Sequence, residues 1–118
     1  MDQTLSDQRN AINYIEFNVR DIQKSKAFYQ HLGWTFIDFG SAYCEFNSGA
    51  LKGGFAQSDN VKSSGGVLII LYSHDLEGSL QCVKDAGAKI VQEIFSFPGG
   101  RRFHFQDLDG YELAIWSE

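Results

Sequence analysis

The chain has 118 residues, enough for one domain that buries roughly two thirds of the surface its unfolded form exposes. Its formal net charge of −5 and pI near 5.1 leave no basic surface for phosphates, so no nucleic-acid partner is expected. No apolar run of about 18 residues occurs and the polar opening lacks a signal-peptide core, so no membrane partner is expected and a cytoplasmic location is. There Cys44 and Cys82, which stand in no metal-binding spacing, are expected to remain reduced and to serve as small core residues.

Residues 1–10 read as a flexible tail, and 11–118 as a single domain. Asn13–Val19 alternates, with Ile15, Phe17 and Val19 on one side and Tyr14, Glu16 and Asn18 on the other, which predicts a half-buried strand. Asp21 is a good N-cap and Gly33 a good left-handed terminator. Between them Ile22, Ser25, Phe28 or Tyr29, and Leu32 recur at helical spacing. Short β-prone runs follow at Trp34–Phe39, Ala42–Asn47 and Leu51–Gln57. The first module, 11–57, is therefore β-α-β-β-β.

Ser58–Gly66 is a linker by composition. The second module, 67–118, repeats the order: strand Val67–Ser73, helix Asp75–Ala86 with Leu76, Leu80 and Val83 on one side, and strand Lys89–Phe95. A hairpin of Arg101–Gln106 and Tyr111–Trp116 then closes it. Pro98 falls in the turn before that hairpin, where its missing N–H costs little. A shift of 54 residues superimposes Asp21 on Asp75, Ile22 on Leu76, Leu32 on Ala86 and Gly33 on Gly87. Two copies of one unit bury their apolar faces against each other, and the cleft between them is the place to look for chemistry.

Alternation sorts the strands into two faces. One collects Ile15, Phe17, Val19, Cys44, Phe46, Ile69, Leu71, Phe103, Phe105, Leu113 and Ile115, enough to lie beneath two helices. The other is mixed: Tyr14, Glu16, Tyr43 and Glu45 from the first module, and Leu68, Ile70, Tyr72, Arg102, His104, Glu112, Ala114 and Trp116 from the second. Left open to water, its apolar members would form an exposed patch, so a curved sheet that wraps this face into a ligand-binding bowl is expected. No Ser or Cys stands in a nucleophile motif, and no Gly-rich loop opens a helix. Acid–base work by Glu16, Glu45 or Glu112 stays open.

The opening Ile12-Asn-Tyr-Ile-Glu-Phe-Asn-Val-Arg-Asp21, with Ala27-Phe28-Tyr29 and Leu32-Gly33-Trp34, resembles the vicinal oxygen chelate superfamily of glyoxalase I, bleomycin-resistance proteins and extradiol dioxygenases. So does the close, from Gly99-Gly100-Arg101-Arg102 through Asp107-Leu108-Asp109-Gly110-Tyr111-Glu112-Leu113 to Trp116. The resemblance implies an α+β fold of two βαβββ modules forming a curved, incomplete barrel around a central cleft. It also implies a divalent metal held by His or Glu at positions that here are Tyr14, Leu68, Ala114 and a residue near Gly53. None is a metal ligand of the usual kind, so no metal and no other cofactor are expected. An alternative set shifted along the same face is Glu16, His104 and Glu112.

The expected function is binding of a small organic molecule in the cleft, as implied for bleomycin-resistance relatives. Tyrosines and Trp116 would supply the walls, the carboxylates would attract a cationic or polar guest, and Arg102 with His104 would orient it. The alternatives are a metal-dependent lyase or dioxygenase relative using the shifted ligands, a metal-free isomerase, and an interaction module closed by a partner chain. A homodimer is expected on the resemblance alone.

Overall fold

A computed structural model describes residues 9, 10, 12–65 and 67–118. The expected tail therefore lies outside the described residues over positions 1–8, as do Ala11 and Gly66. The elements run in the expected order: β1 (Tyr14–Val19), α1 (Ile22–Gln30), β2 (Thr35–Asp38), β3 (Tyr43–Asn47), β4 (Lys52–Gln57) and, after the linker, β5 (Ile69–Tyr72), α2 (Leu76–Ala86), β6 (Lys89–Phe97), β7 (Gly100–Gln106) and β8 (Glu112–Ser117). Each helix starts where an aspartate caps it. Asp21 accepts from the Lys24 N–H at 3.1 Å, and Asp75 accepts from the Gly78 N–H at 3.1 Å. Gly33 (φ +88°) and Gly87 (φ +99°) turn the chain out of the helices in the left-handed region that glycine enters without strain.

Each module makes its own four-stranded sheet, in the orders β1-β4-β3-β2 and β5-β8-β7-β6, and neither sheet closes. The first strand of each runs parallel to the last: Tyr14 lies beside Lys52, and Ile69 beside Leu113. A helix between parallel strands is the connection this pairing demands. The two modules differ mainly in their outer hairpin. β2 has four residues, whereas β6 has nine, with register shifts between Ile90 and Gln92 and between Gln92 and Phe95. β6 thus runs two residues past the Phe95 end expected from sequence, and Pro98-Gly99 make the turn into β7.

The apolar faces of both sheets converge on both helices in one core. Phe17, Val19, Cys44, Phe46, Phe55, Phe103, Phe105, Leu113 and Ile115 are buried with Ile22, Phe28, Tyr29, Leu76 and Val83. Phe28 of α1 stacks on Phe105 of the second sheet, with ring centroids 6.4 Å apart. The mixed faces of the two sheets are therefore turned outward, away from that core. Cys44 is a core residue as expected, but Cys82 is exposed. It precedes Val83 and lies about a quarter turn round α2 from the buried stripe of Leu76 and Val83, on a flank that faces water.

Polar contacts fasten the modules at the β7–β8 turn. Tyr29 donates from its hydroxyl to Asp107 at 2.6 Å, out of contact with water. Arg20 gives its backbone N–H to the Asp109 carboxylate at 2.9 Å and its guanidinium to the same residue. Tyr111 donates to the Asn18 carbonyl at 2.9 Å, and its ring meets Phe17 edge-on. Burial raises the Asp107 pKa, against the opposing pull of the hydrogen bonds it accepts from Tyr29, Tyr111 and Asp109.

Burial, and after it the Asp107 charge, holds the Tyr29 pKa well above its ordinary value of 10.0. As pH climbs past that value the unfolded chain gives up this proton and the folded chain does not, so the stability from this group is full below pH 10 and drains away above it. Tyr29→Phe should cost about 1–3 kcal/mol at neutral pH by leaving a buried carboxylate short of a donor. In urea unfolding, the gap to the wild type should narrow above pH 10. A gap that is constant with pH contradicts this assignment.

Candidate functional site

A groove of about 880 Å³ runs between the halves. β1 supplies Tyr14 to Phe17, the linker supplies Lys62 to Gly65, and the approach to β5 supplies Val67 to Ile69. The β7–β8 end adds Gln106 and Gly110 to Glu112. Tyr14, Glu16, Leu68 and Glu112, four of the expected cleft residues, meet here.

On the first sheet three side chains form a relay. Tyr43 donates to Glu16 Oε1 at 2.9 Å, and the Tyr14 and Tyr43 hydroxyls are 2.9 Å apart. Tyr43 has one proton and spends it on Glu16, so Tyr14 donates to Tyr43. Burial, then the hydrogen bonds to Tyr14 and Glu16, drive the Tyr43 pKa far up. Gly54 makes room for this arrangement, because a Cβ there would overlap the Tyr43 phenol. Glu45 lies half-buried on the same face, across from Gly54.

On the second sheet Glu112 joins the groove to an aromatic wall. Its carboxylate is 2.8 Å from His104 Nδ1, and the His104 ring stacks on Phe95 with centroids 5.8 Å apart. Arg102 sits over Phe95 and Phe97, Phe97 meets Trp116, and Trp116 meets Tyr72 edge-on at 5.1 Å. Tyr72 in turn donates to Glu118 at 2.9 Å. Ile70 lies exposed at the sheet edge, and Ala114, between Ile70 and His104 in the register, is wholly covered.

The expected cleft residues thus fall into a phenol–carboxylate group on one sheet and an aromatic, cation-bearing group on the other. Among the described residues no hydrogen bond, ion pair or ring contact joins the two groups. Tyr14 and Leu68 share the groove, but Ala114 does not line it, because β8 lies inside its sheet while β1 and β5 are edges. Phe95, Phe97 and Glu118 were not anticipated as site residues. The signal for the phenylalanines was Phe95-Ser96-Phe97 at strand spacing, hidden because the strand was expected to end at Phe95. His31 caps its helix through the Ala27 carbonyl at 2.9 Å, and His74 is an exposed loop residue.

A model of the Glyoxalase/Bleomycin resistance protein/Dioxygenase superfamily matches residues 11–115. The chain belongs to this superfamily. Solved structures carry the same fold. FosX, a genomically encoded fosfomycin resistance protein from Listeria monocytogenes complexed with Mn(II) and sulfate, superimposes with TM-score 0.81 at 19% identity, covering 93% of this chain and 91% of FosX. A glyoxalase-related enzyme from Fulvimarina pelagi gives 0.79 at 15% identity, covering 93% and 89%. Hypothetical protein SA1046 from S. aureus gives 0.78 at 22% identity, covering 94% and 95%. A comparison with curated proteins returns no match.

The divalent metal that superfamily resemblance implies does not fit the residues present. Leu68 and Ala114 carry no donor atom, and Tyr14 is engaged by Tyr43. Gly53 faces the core rather than the outer face, against the Phe46 ring and the Ile15 carbonyl; the outward position is its neighbour Gly54, again without a donor. The shifted set is not assembled either. Glu16 is tied to Tyr43 on one sheet while His104 and Glu112 pair on the other, and among the described residues no three His, Cys, Asp or Glu side chains stand close enough for one ion.

Gly54→Ala should push Tyr43 out of the relay and let its phenol ionise nearer the usual range. Titration of tyrosinate absorbance should then show one more group ionising near pH 10, the ordinary tyrosine value. An unchanged titration would mean that Gly54 does not set the position of Tyr43.

Proposed function

We propose that this superfamily member binds a small organic molecule at the groove and the adjoining second-sheet face, without a divalent metal at the superfamily's usual positions. The observation that carries this reading is the pairing of a sizeable groove with ligand positions occupied by Tyr14, Leu68, Ala114 and glycine. The groove combines apolar area from Leu68 and Ile69 with acceptors at Glu16 and Glu112, the composition of a site that holds a compact molecule by area and orients it by a few polar contacts. Glu112 lines the groove and meets His104 behind it at 2.8 Å, so a bound molecule with a polar hydrogen would find an acceptor there.

A second copy of the chain is the partner this reading favours. The outward faces expose Tyr14 and Ile37 on the edge strands of the first sheet and Ile70 and Tyr72 on the edge of the second, each at least 40% accessible, apolar area that a partner would cover. Free thiols at Cys44 and Cys82 support a cytoplasmic setting, and among the described residues no helix is long and apolar enough to cross a membrane.

Metal analysis of the purified protein should find far less than one equivalent of manganese, iron, nickel or zinc, and chelator should leave the melting temperature unchanged. Stoichiometric metal whose removal lowers the melting temperature would overturn the metal-free reading. Light scattering coupled to size exclusion should give twice the chain mass; a monomer across the accessible concentration range would remove the second copy.

A further inference from the structure

We propose that Arg102 anchors a binding site for a planar monocarboxylate, its guanidinium taking the carboxylate and the rings around it taking the flat body of the molecule. This rests on the small-molecule reading above and names the class of molecule.

Arg102 stands apart from the other arginines of the folded elements. Arg20 bonds Asp109, and Arg101 grips Glu77 through both terminal nitrogens at 2.6 and 3.2 Å. Arg102, one residue on and pointing to the other face, has no carboxylate and no hydrogen-bond acceptor among the described residues, and its Nε is buried without a partner. The guanidinium is held by rings alone, 5.5 Å from the Phe95 centroid and 5.6 Å from that of Phe97. Stacking fixes a guanidinium in place without supplying an acceptor, and a cation kept rigid with no protein acceptor is prepared for an anion.

The second module builds this cage and the first has no counterpart. The five residues by which β6 exceeds β2, together with its two register shifts, carry Phe95 and Phe97 over Arg102. Bulges of this kind commonly re-aim side chains beside binding sites. Trp116, directly across from Arg102, and Tyr72 beyond it present ring surface at the mouth of the cage.

The charges select the ligand class. At the cage Arg102 carries its charge without an ion pair, and two carboxylates stand nearby, Glu112 behind His104 and Glu118 behind Tyr72. A doubly charged phosphonate would find no second cation and two repulsive neighbours, whereas a carboxylate matches the guanidinium fork one to one. The aromatic walls add a preference for a flat, conjugated body.

Calorimetric titration with naphthoate, naphthamide and naphthylphosphonate tests the assignment. Naphthoate should bind saturably and at least about tenfold more tightly than the neutral amide, as a charge-assisted pair demands. The phosphonate, when doubly ionised, should bind more weakly than the carboxylate. Arg102→Gln should remove the carboxylate preference, and Arg102→Lys should restore part of it. In the unaltered protein, naphthoate should shift the Trp116 indole resonance and leave that of the core residue Trp34 in place, a readout that needs no variant. Equal affinity for naphthoate and naphthamide overturns the anion site while leaving the small-molecule reading standing. Tighter binding of the phosphonate, or full naphthoate affinity in Arg102→Gln, also overturns it. No binding by any of the three overturns both.

Discussion

Everything in this molecule depends on two amphipathic modules sharing one dry interior. Neither sheet closes on itself, so each must cover its apolar face, and the two helices are too few to do it separately for both. Stacking of Phe28 on Phe105, and the edge-on meeting of Phe17 with Tyr111, make the core continuous across the repeat. Each fully buried aromatic side chain of this kind contributes roughly 1.5–3 kcal/mol of hydrophobic stabilisation, and summed over the rings of the core this exceeds what the polar latch at Asp107 and Asp109 adds. The latch instead fixes orientation, because a short hydrogen bond tolerates little displacement.

That shared interior has a direct consequence for chemistry. With the apolar faces turned inward, Glu16, Tyr43, Glu45, Arg102, His104 and Glu112 are delivered to the other face, and the groove forms where the edge strands β1 and β5 approach. The duplicated scaffold then carries different contents on its two faces. In the first module Tyr43, paired with Ala56, belongs to a phenol–carboxylate relay; in the second, Arg102, paired with Trp116, belongs to an aromatic cage. The same strand geometry has been furnished once for hydrogen bonding and once for a cation held by rings. A metal needs several ligands converging on one point, and the replacement of those ligands by Leu68, Ala114 and glycine removes that convergence. Area and a few oriented charges remain.

Much of the architecture was legible because local and global signals agree. Asp21 and Asp75 cap helices whose stripes end at Gly33 and Gly87, and the alternation in β1 and β7–β8 assigns the buried face correctly. What could not be read was the path of β6, since bulges interrupt a pattern that has no fixed period, and with it the aromatic cage. Cys82 was misplaced because a cysteine carries no preference strong enough to outweigh its position on the helix. The relation between the two faces was also hidden. Periodicity tells which side chains share a face of a strand, but not how one sheet is disposed toward another. The candidate site residues therefore lie as two sets, a phenol–carboxylate group on the first sheet and an aromatic, cation-bearing group on the second.

Native-state hydrogen exchange in increasing denaturant tests the shared core most directly. Amides of β3 and β4 in the first module and of β7 and β8 in the second should merge into a single opening with one free energy and one denaturant dependence. Opening of one module at markedly lower free energy, while the other stays protected, would mean that each half keeps its own interior and would contradict the account.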